Sequence, residues 1–486
     1  MKLSRSSGLL LHPTSLASQY GIGDLGPKAR EFVDFLHSSN QKFWQILPLQ
    51  KPLFLSPYAC VSAFAGNPYL ISIDDLKKDG FLKEKIDVRA KFPCDKVVFR
   101  KVKELKDRIF RMAFRNFRSE DSFVKFCAEN CYWLDDFCDY EILSEKYGKI
   151  WNKWPKPLFE REFGALLKMR KENRRKISEK KFQQWVFFNQ WMRLRKYAAA
   201  KGVSIIGDIP MFVSYSSADV WARRDLFLLK DTGKPSYVAG VPPDHFSSNG
   251  QLWGNPVYDW RRMKKDGFKW WMERFKLTFN MYDYVRLDHF RGFYSYWRVP
   301  AGNRTARKGE WFKASGEEMF AILKKNMKDL PVIAEDLGYI SAPIKRFREN
   351  FAFPGMKVLQ FAFSGTDKNV YLPKNYKKNF VVYTGTHDND TTKGWYRKCS
   401  KYERERINKF LGEVKEINWQ MIEFAMASKA VLAIFPVQDI LSLGSKARLN
   451  LPGKSSGNWM WKLSGGEFTK KIAARLASLT KKYGRM

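Results

Sequence analysis

The sequence has few cysteines and histidines, no long apolar run, and too few acids for its bases. Each shortage removes a class of protein. Six cysteines in 486 residues are too few for a disulfide-framed secreted fold. The densest group, Cys127, Cys131 and Cys138 in "FCAENCYWLDDFC", is spaced for one helix face but brings no fourth ligand. Core packing is its expected role, since cysteine behaves as a small hydrophobe. No stretch approaches the ~20 apolar residues that span a bilayer. The opening "MKLSRSSGLLLHPTSL" has a short apolar patch broken by His12 and Pro13, which makes a poor signal peptide. A cytoplasmic protein without membrane contact is expected.

Acidic residues number 50 against 87 basic ones, a net charge of +37. Such an excess suits a polyanion partner. Here it is dispersed, with short clusters such as "RKENRRKISEKK" (170–181), and no zinc-finger spacing, RNP motif or basic heptad accompanies it. Nucleic-acid binding is therefore not the expected function. The oligomeric state is not legible.

Eight short apolar runs recur: 7–13, 43–49, 203–210, 284–290, 331–338, 356–363, 379–388 and 430–439. Runs apolar on both faces belong to buried parallel strands. Helical periodicity follows most of them, at 28–39, 183–200, 267–279, 315–328 and 402–427. Strand–helix alternation of this kind predicts an α/β fold, a (β/α)8 barrel. A barrel needs about 250 residues, so the chain 1–486 is read as one catalytic barrel with two large insertions. The first, 50–182, lies between the second and third strands and is mainly helical in pattern. The second, 214–262, follows the third strand and is rich in Gly, Pro, Ser and Trp.

Barrel active sites form at the C-terminal ends of the strands. Asp208, Asp288, Glu335 with Asp336, Asp388 and Asp439 all fall there, as do His12, His289 and His387. Any one of these residues alone would be read as a salt-bridge partner; together they mark a site. Carboxylates without a metal-ligand motif suggest glycoside chemistry, one carboxylate attacking the anomeric carbon while a protonated partner serves the leaving oxygen. An adjacent arginine favours an ionised nucleophile, and Arg286, two residues before Asp288, shares its strand face. Glu335 in "IAEDLG" suits the acid, and Asp388 in "GTHDND" suits stabilisation of an oxocarbenium-like state. No metal or cofactor is expected.

These stretches, "VRLDHFRGF", "VIAEDLG" and "YTGTHDNDTT", resemble the motifs of the amylomaltases (4-α-glucanotransferases, or disproportionating enzymes) of the α-amylase clan. So, in order, do "GLLLHPTSL", "YGIGDLG", "SAFAGNPYLI", "IGDIPMFV", "GQLWGNPVYDW", "GMKVLQFAF" and "PVQDILSLGSKARLNLPG". The resemblance spans almost the entire chain and implies no C-terminal β-domain. It implies Asp288 as nucleophile, Glu335 as general acid/base and Asp388 as transition-state stabiliser. Arg286, His289 and His387 would bind sugar at the cleavage point, supported by Asp208, with Asp336 among the substrate contacts. Gln251 and Trp253 match a loop covering bound glucan, and Asp244, Ser56, Tyr58, Asn450 and Pro452 match acceptor-side contacts. Two departures stand out: "LQKPLFLSPYAC" replaces a Gly-rich stretch, and His245 stands where the family usually has Tyr. The implied substrates are α-1,4-glucans and maltooligosaccharides. A hydrolase and a catalytically idle glucan- or polyanion-binding protein are the competing readings.

Overall fold

The computed structural model describes residues 3–486 except 54, 84–85, 87–91, 244–246, 339 and 455. Each of the eight apolar runs overlaps one parallel strand, and two of these strands begin one residue before the run. They are β1 (Ser6–Leu10), β2 (Phe43–Gln45), β3 (Ser204–Ile209), β4 (Tyr284–Leu287), β5 (Val332–Ala334), β6 (Gly355–Val358), β7 (Phe380–Tyr383) and β8 (Leu432–Pro436). They lie side by side in the order β6-β7-β8-β1-β2-β3-β4-β5, all paired in parallel. The seam between β5 and β6 is joined by the Ala334 N–H donating to Pro354 O at 2.8 Å. This is a (β/α)8 barrel. Its strands are shorter than the apolar runs, whose remaining residues form the loops at the C-terminal rim.

Leu10, Phe43, Ile206, Tyr284, Ile333, Met356, Val381 and Leu432 pack together in one buried cluster. Each comes from a different strand, as expected of a barrel interior filled in layers. Gly8 lets β1 approach β2, because a Cβ there would lie 2.3 Å from Phe43 O. A second, larger cluster packs the outward strand residues against helices. The helix Pro27–Ser38 starts on Pro27, whose missing N–H costs nothing in a first turn, and buries Phe32, Val33, Phe35 and Leu36. Arg174–Ala200, Lys269–Met281 and Gly316–Asn326 also belong to this outer layer.

The helix expected over 402–427 is two. Lys401–Leu411 begins with a capping box of Ser400 and Glu403 and ends at Gly412, whose φ of 72° is left-handed. Ile417–Ala427 follows. Glycine at that position stops a helix without steric cost.

Between β2 and β3 the chain forms helices Ile73–Lys78, Phe99–Asn116, Asp121–Glu129, Cys131–Tyr147, Lys156–Phe159, Phe163–Glu172 and the start of Arg174–Ala200. The three clustered cysteines do not share one helix face, because the chain breaks at Asn130. Cys138 is buried in the core and Cys131 is exposed. After β3, the Gly- and Pro-rich stretch supplies two strands, Tyr237–Val241 and Gln251–Pro256. With Ser295–Pro300 and Glu310–Lys313, which follow β4, they make an antiparallel four-stranded sheet. Among the described residues, no helix is long and apolar enough to cross a membrane.

Candidate active site

Along three adjacent strands the interior changes from apolar to polar within one step of the two-residue repeat. Phe43, Ile206 and Tyr284 give way to Gln45, Asp208 and Arg286. All six are buried. Arg286 Nη1 donates to both oxygens of Asp208, at 3.0 and 2.8 Å, and Nη2 donates to Asp288 Oδ1 at 2.8 Å. The Tyr58 hydroxyl donates to Asp208 Oδ2 at 2.7 Å, and that of Tyr383 to Gln45 Oε1 at 2.8 Å. The guanidinium thus bridges two acids, as a planar fork does better than an ammonium. Burial raises the Asp208 pKa, against the pull of Arg286.

Asp288 and Glu335 stand one residue beyond β4 and β5 at matched height. The Asp288 N–H donates to Ile209 O and the Glu335 N–H to Leu287 O, each at 3.0 Å. The strand ladder therefore continues through both residues. His289 then turns left-handed at a φ of 51°, so that its N–H donates to Glu335 Oε2 at 2.8 Å. The Leu337 N–H donates to Glu335 Oε1 at 2.9 Å. Burial pushes the Glu335 pKa up to about 7, with Asp288 adding to the rise and Arg286 and the two N–H donors opposing it. A carboxyl tuned in this way can hold a proton near neutral pH and release it. Burial also drops the His289 pKa to about 4 and lowers that of His387, so both rings are neutral hydrogen-bonding groups at pH 7.

Asp388 sits in a turn fixed by Asn389, whose Oδ1 accepts from the Thr386 N–H at 2.9 Å. Asn450 Nδ2 donates to Asp388 Oδ1 at 2.5 Å. His387 Nε2 lies 3.4 Å from Asp388 Oδ2. The His387 ring stacks on Tyr58 with centroids 5.1 Å apart. Arg448 was not among the expected residues. It donates to Asp388 O and Asn450 O at 2.5 and 2.6 Å, tying the "ARLNLP" segment to the rim. On the opposite side Trp253, 38% exposed, meets the His289 ring edge-on at 4.8 Å, and its Nε1 donates to Gln251 Oε1 at 3.2 Å.

Asp288, Glu335, Asp388, Arg286, His289, His387, Asp208, Tyr58, Asn450, Trp253 and Gln251 thus fall around one cleft. Tyr58 lies against Asp208 and His387. Ser56 braces it, its Oγ accepting from the Tyr58 N–H at 3.2 Å. Pro452 is exposed at a turn. Asp336 is a correction: it accepts from the Met356 N–H at 2.7 Å and pairs with Arg348 at 3.1 Å, on the outer side of β5. Asp439 is likewise structural, its carboxylate satisfied by Thr384 and by the hydroxyl and N–H of Thr392. Asp244 and His245 lie outside the described residues.

Charged and polar side chains thus gather at the C-terminal ends of the strands, where barrel enzymes carry their active sites. A family model described as 4-alpha-glucanotransferase matches residues 11–469, and the chain belongs to that family of enzymes. It is 45% identical to the 4-alpha-glucanotransferase of Synechocystis over 99% of this chain and 98% of that one. With the enzyme of Thermus thermophilus the identity is 42%, over the full length of both. The amylomaltase from Streptococcus agalactiae, solved in complex with acarbose, superposes with a TM-score of 0.94 at 36% identity, covering 99% of each chain.

Proposed function

We propose that the enzyme is a retaining 4-α-glucanotransferase working through a covalent glycosyl-enzyme on Asp288. Its donors would be maltooligosaccharides and glycogen- or starch-type α-1,4-glucans, and its acceptors glucose or glucan. The observation that carries this reading is the placement of Asp288 and Glu335. They leave adjacent strands at one height, Asp288 held by the Arg286 guanidinium and Glu335 by the His289 N–H.

An Asp288 oxygen attacks the anomeric carbon as the bond to the leaving glucan breaks, and the Glu335 proton passes to the departing O4. Asp388, held by Asn450, faces the positive charge that develops on the ring. Glu335, now ionised, takes the proton from the 4-hydroxyl of an acceptor, whose oxygen displaces Asp288. The 214–262 insertion, with Trp253 and Gln251, covers the donor side and hinders water. The 50–182 insertion delivers Tyr58 to the floor of the site.

Two carboxyl groups acting in this way stand about 5–5.5 Å apart and retain anomeric configuration. Incubation with maltotriose should yield glucose and a ladder of longer oligosaccharides, with little net gain of reducing ends. Asp288→Asn should lower turnover by at least about 10³-fold, and a slow substrate should leave a glycosyl ester on Asp288 of the unmodified enzyme. Inversion at the anomeric centre would sink the assignment, and a matching rise in reducing ends would make the enzyme a hydrolase.

A further inference from the structure

The strand that carries Gln251 and Trp253 is entered through the tip residues 247–250, and a loop from elsewhere in the chain holds them. Residues 301–309, "AGNRTARKG", connect the other two strands of the four-stranded sheet. Most of this loop is exposed or half-buried, but Ala306 is 0% exposed. Its N–H donates to Asn249 O at 3.0 Å, and its carbonyl accepts from Trp297 Nε1 at 2.9 Å. Its neighbour Arg307 donates through Nε to Ser248 O at 3.0 Å.

The methyl of Ala306 sits in a cradle of two glycines. A Cβ built on Gly240 would lie 3.6 Å from it, and one on Gly250 only 2.9 Å. Gly250 also has a φ of 65°, so the tip needs glycine for its backbone as well as for the space. Gly309 completes the arrangement, since a Cβ there would run into the Trp297 indole at 2.6 Å. Residues 248–250 are thus held by two hydrogen bonds, from the Ala306 N–H and Arg307 Nε, and by the close-packed Ala306 methyl.

We infer that Ala306 and Arg307 are positioning residues for the sugar-covering hairpin, and that their grip sets how the glycosyl-enzyme divides between a sugar acceptor and water. The inference rests on the covalent transfer reading above. The link is mechanical: Trp253 is four residues from Asn249 and its ring lies on His289. Freeing Asn249 and Ser248 therefore lets the indole swing from the cleft and admits water.

The test compares Ala306→Leu, which cannot enter the cradle, with Ala306→Gly, which keeps both backbone hydrogen bonds. Arg307→Ala is a milder third variant. Hydrogen exchange of the amides at 249–253 should quicken about tenfold in Ala306→Leu while the barrel strands stay protected. The transfer-to-hydrolysis ratio on maltotriose should fall about fivefold, through loss of transfer with hydrolysis maintained. Ala306→Gly should match the unmodified enzyme in both, and Arg307→Ala should fall between. Unchanged exchange in Ala306→Leu overturns the clasp. Quickened exchange with an unchanged ratio, or with transfer and hydrolysis falling together, overturns its role in partition. An unmodified enzyme that makes no longer oligosaccharides fails the functional reading and the partition claim with it, while exchange still decides the clasp.

Discussion

At the scale of single residues, the site works by giving like groups unlike surroundings. Glu335 and Asp288 are neighbours, yet Asp288 has the arginine fork and Glu335 has buried surroundings and two backbone N–H donors. With Glu335 raised to about 7, its protonated form prevails below that pH and is lost above it. The pH profile of kcat/KM should therefore decline on its alkaline side, with a limb near 7, and Glu335→Gln should abolish that limb together with most activity. A profile flat from pH 6 to about 9 would show that another group carries the proton. These carboxylates were legible in the sequence because each ends an apolar run, where charge has no structural reason to be. Asp336 was misread for an equally plain reason. Successive residues leave a strand in opposite directions, so Glu335 faces the cleft while its neighbour meets Arg348. Arg448 and the packing of Tyr58 on Asp208 and His387 are not legible, because both depend on how distant loops fold back, which no local pattern encodes.

At the scale of elements, the barrel strands were readable to within a few residues because burial on both faces leaves near-continuous apolar runs. The four-stranded sheet was not. Its strands 295–300 and 310–313 carry Arg298, Glu310 and Lys313 among aromatics, and they are separated by a basic loop that reads as surface. The two helices at 401–427 read as one because Gly412 interrupts a periodicity that resumes after it. The hairpin also yields a prediction of its own. Trp253 packs on His289 and donates to Gln251, so on the proposed mechanism Trp253→Ala should depress transfer to maltotriose more than hydrolysis. Product analysis by chromatography beside a reducing-end assay checks this. Equal loss of both activities would reassign the indole to donor binding alone.

At the scale of the whole molecule, the charge of +37 faces a neutral substrate. Glucan carries no phosphate for the surface to grip, so raising salt from 50 to 300 mM should change kcat/KM by less than about twofold. Phosphate contacts would instead weaken binding steeply with salt. The purified protein's retention on a nucleic-acid column under the same salts gives the complementary measurement. The layer where the barrel interior turns polar has a larger consequence. Gln45, Asp208, Arg286 and Tyr383 are at once the top of the core and the floor of the cleft, so the fold keeps ionised groups where hydrocarbon would pack at least as well. Catalysis and folding therefore place opposed demands on the same few atoms. A double variant Asp208→Leu/Arg286→Met should be inactive yet as stable as the parent, or more so by about 1–4 kcal/mol in chemical denaturation. Arg286→Met alone should be destabilising, because it strands the buried Asp208 carboxylate, and Asp208→Leu alone less so, because Arg286 keeps its bond to Asp288. On the proposed mechanism, the enzyme is held away from its most stable sequence at the place where sugar would bind, and gains in robustness are to be sought in the outer helical layer.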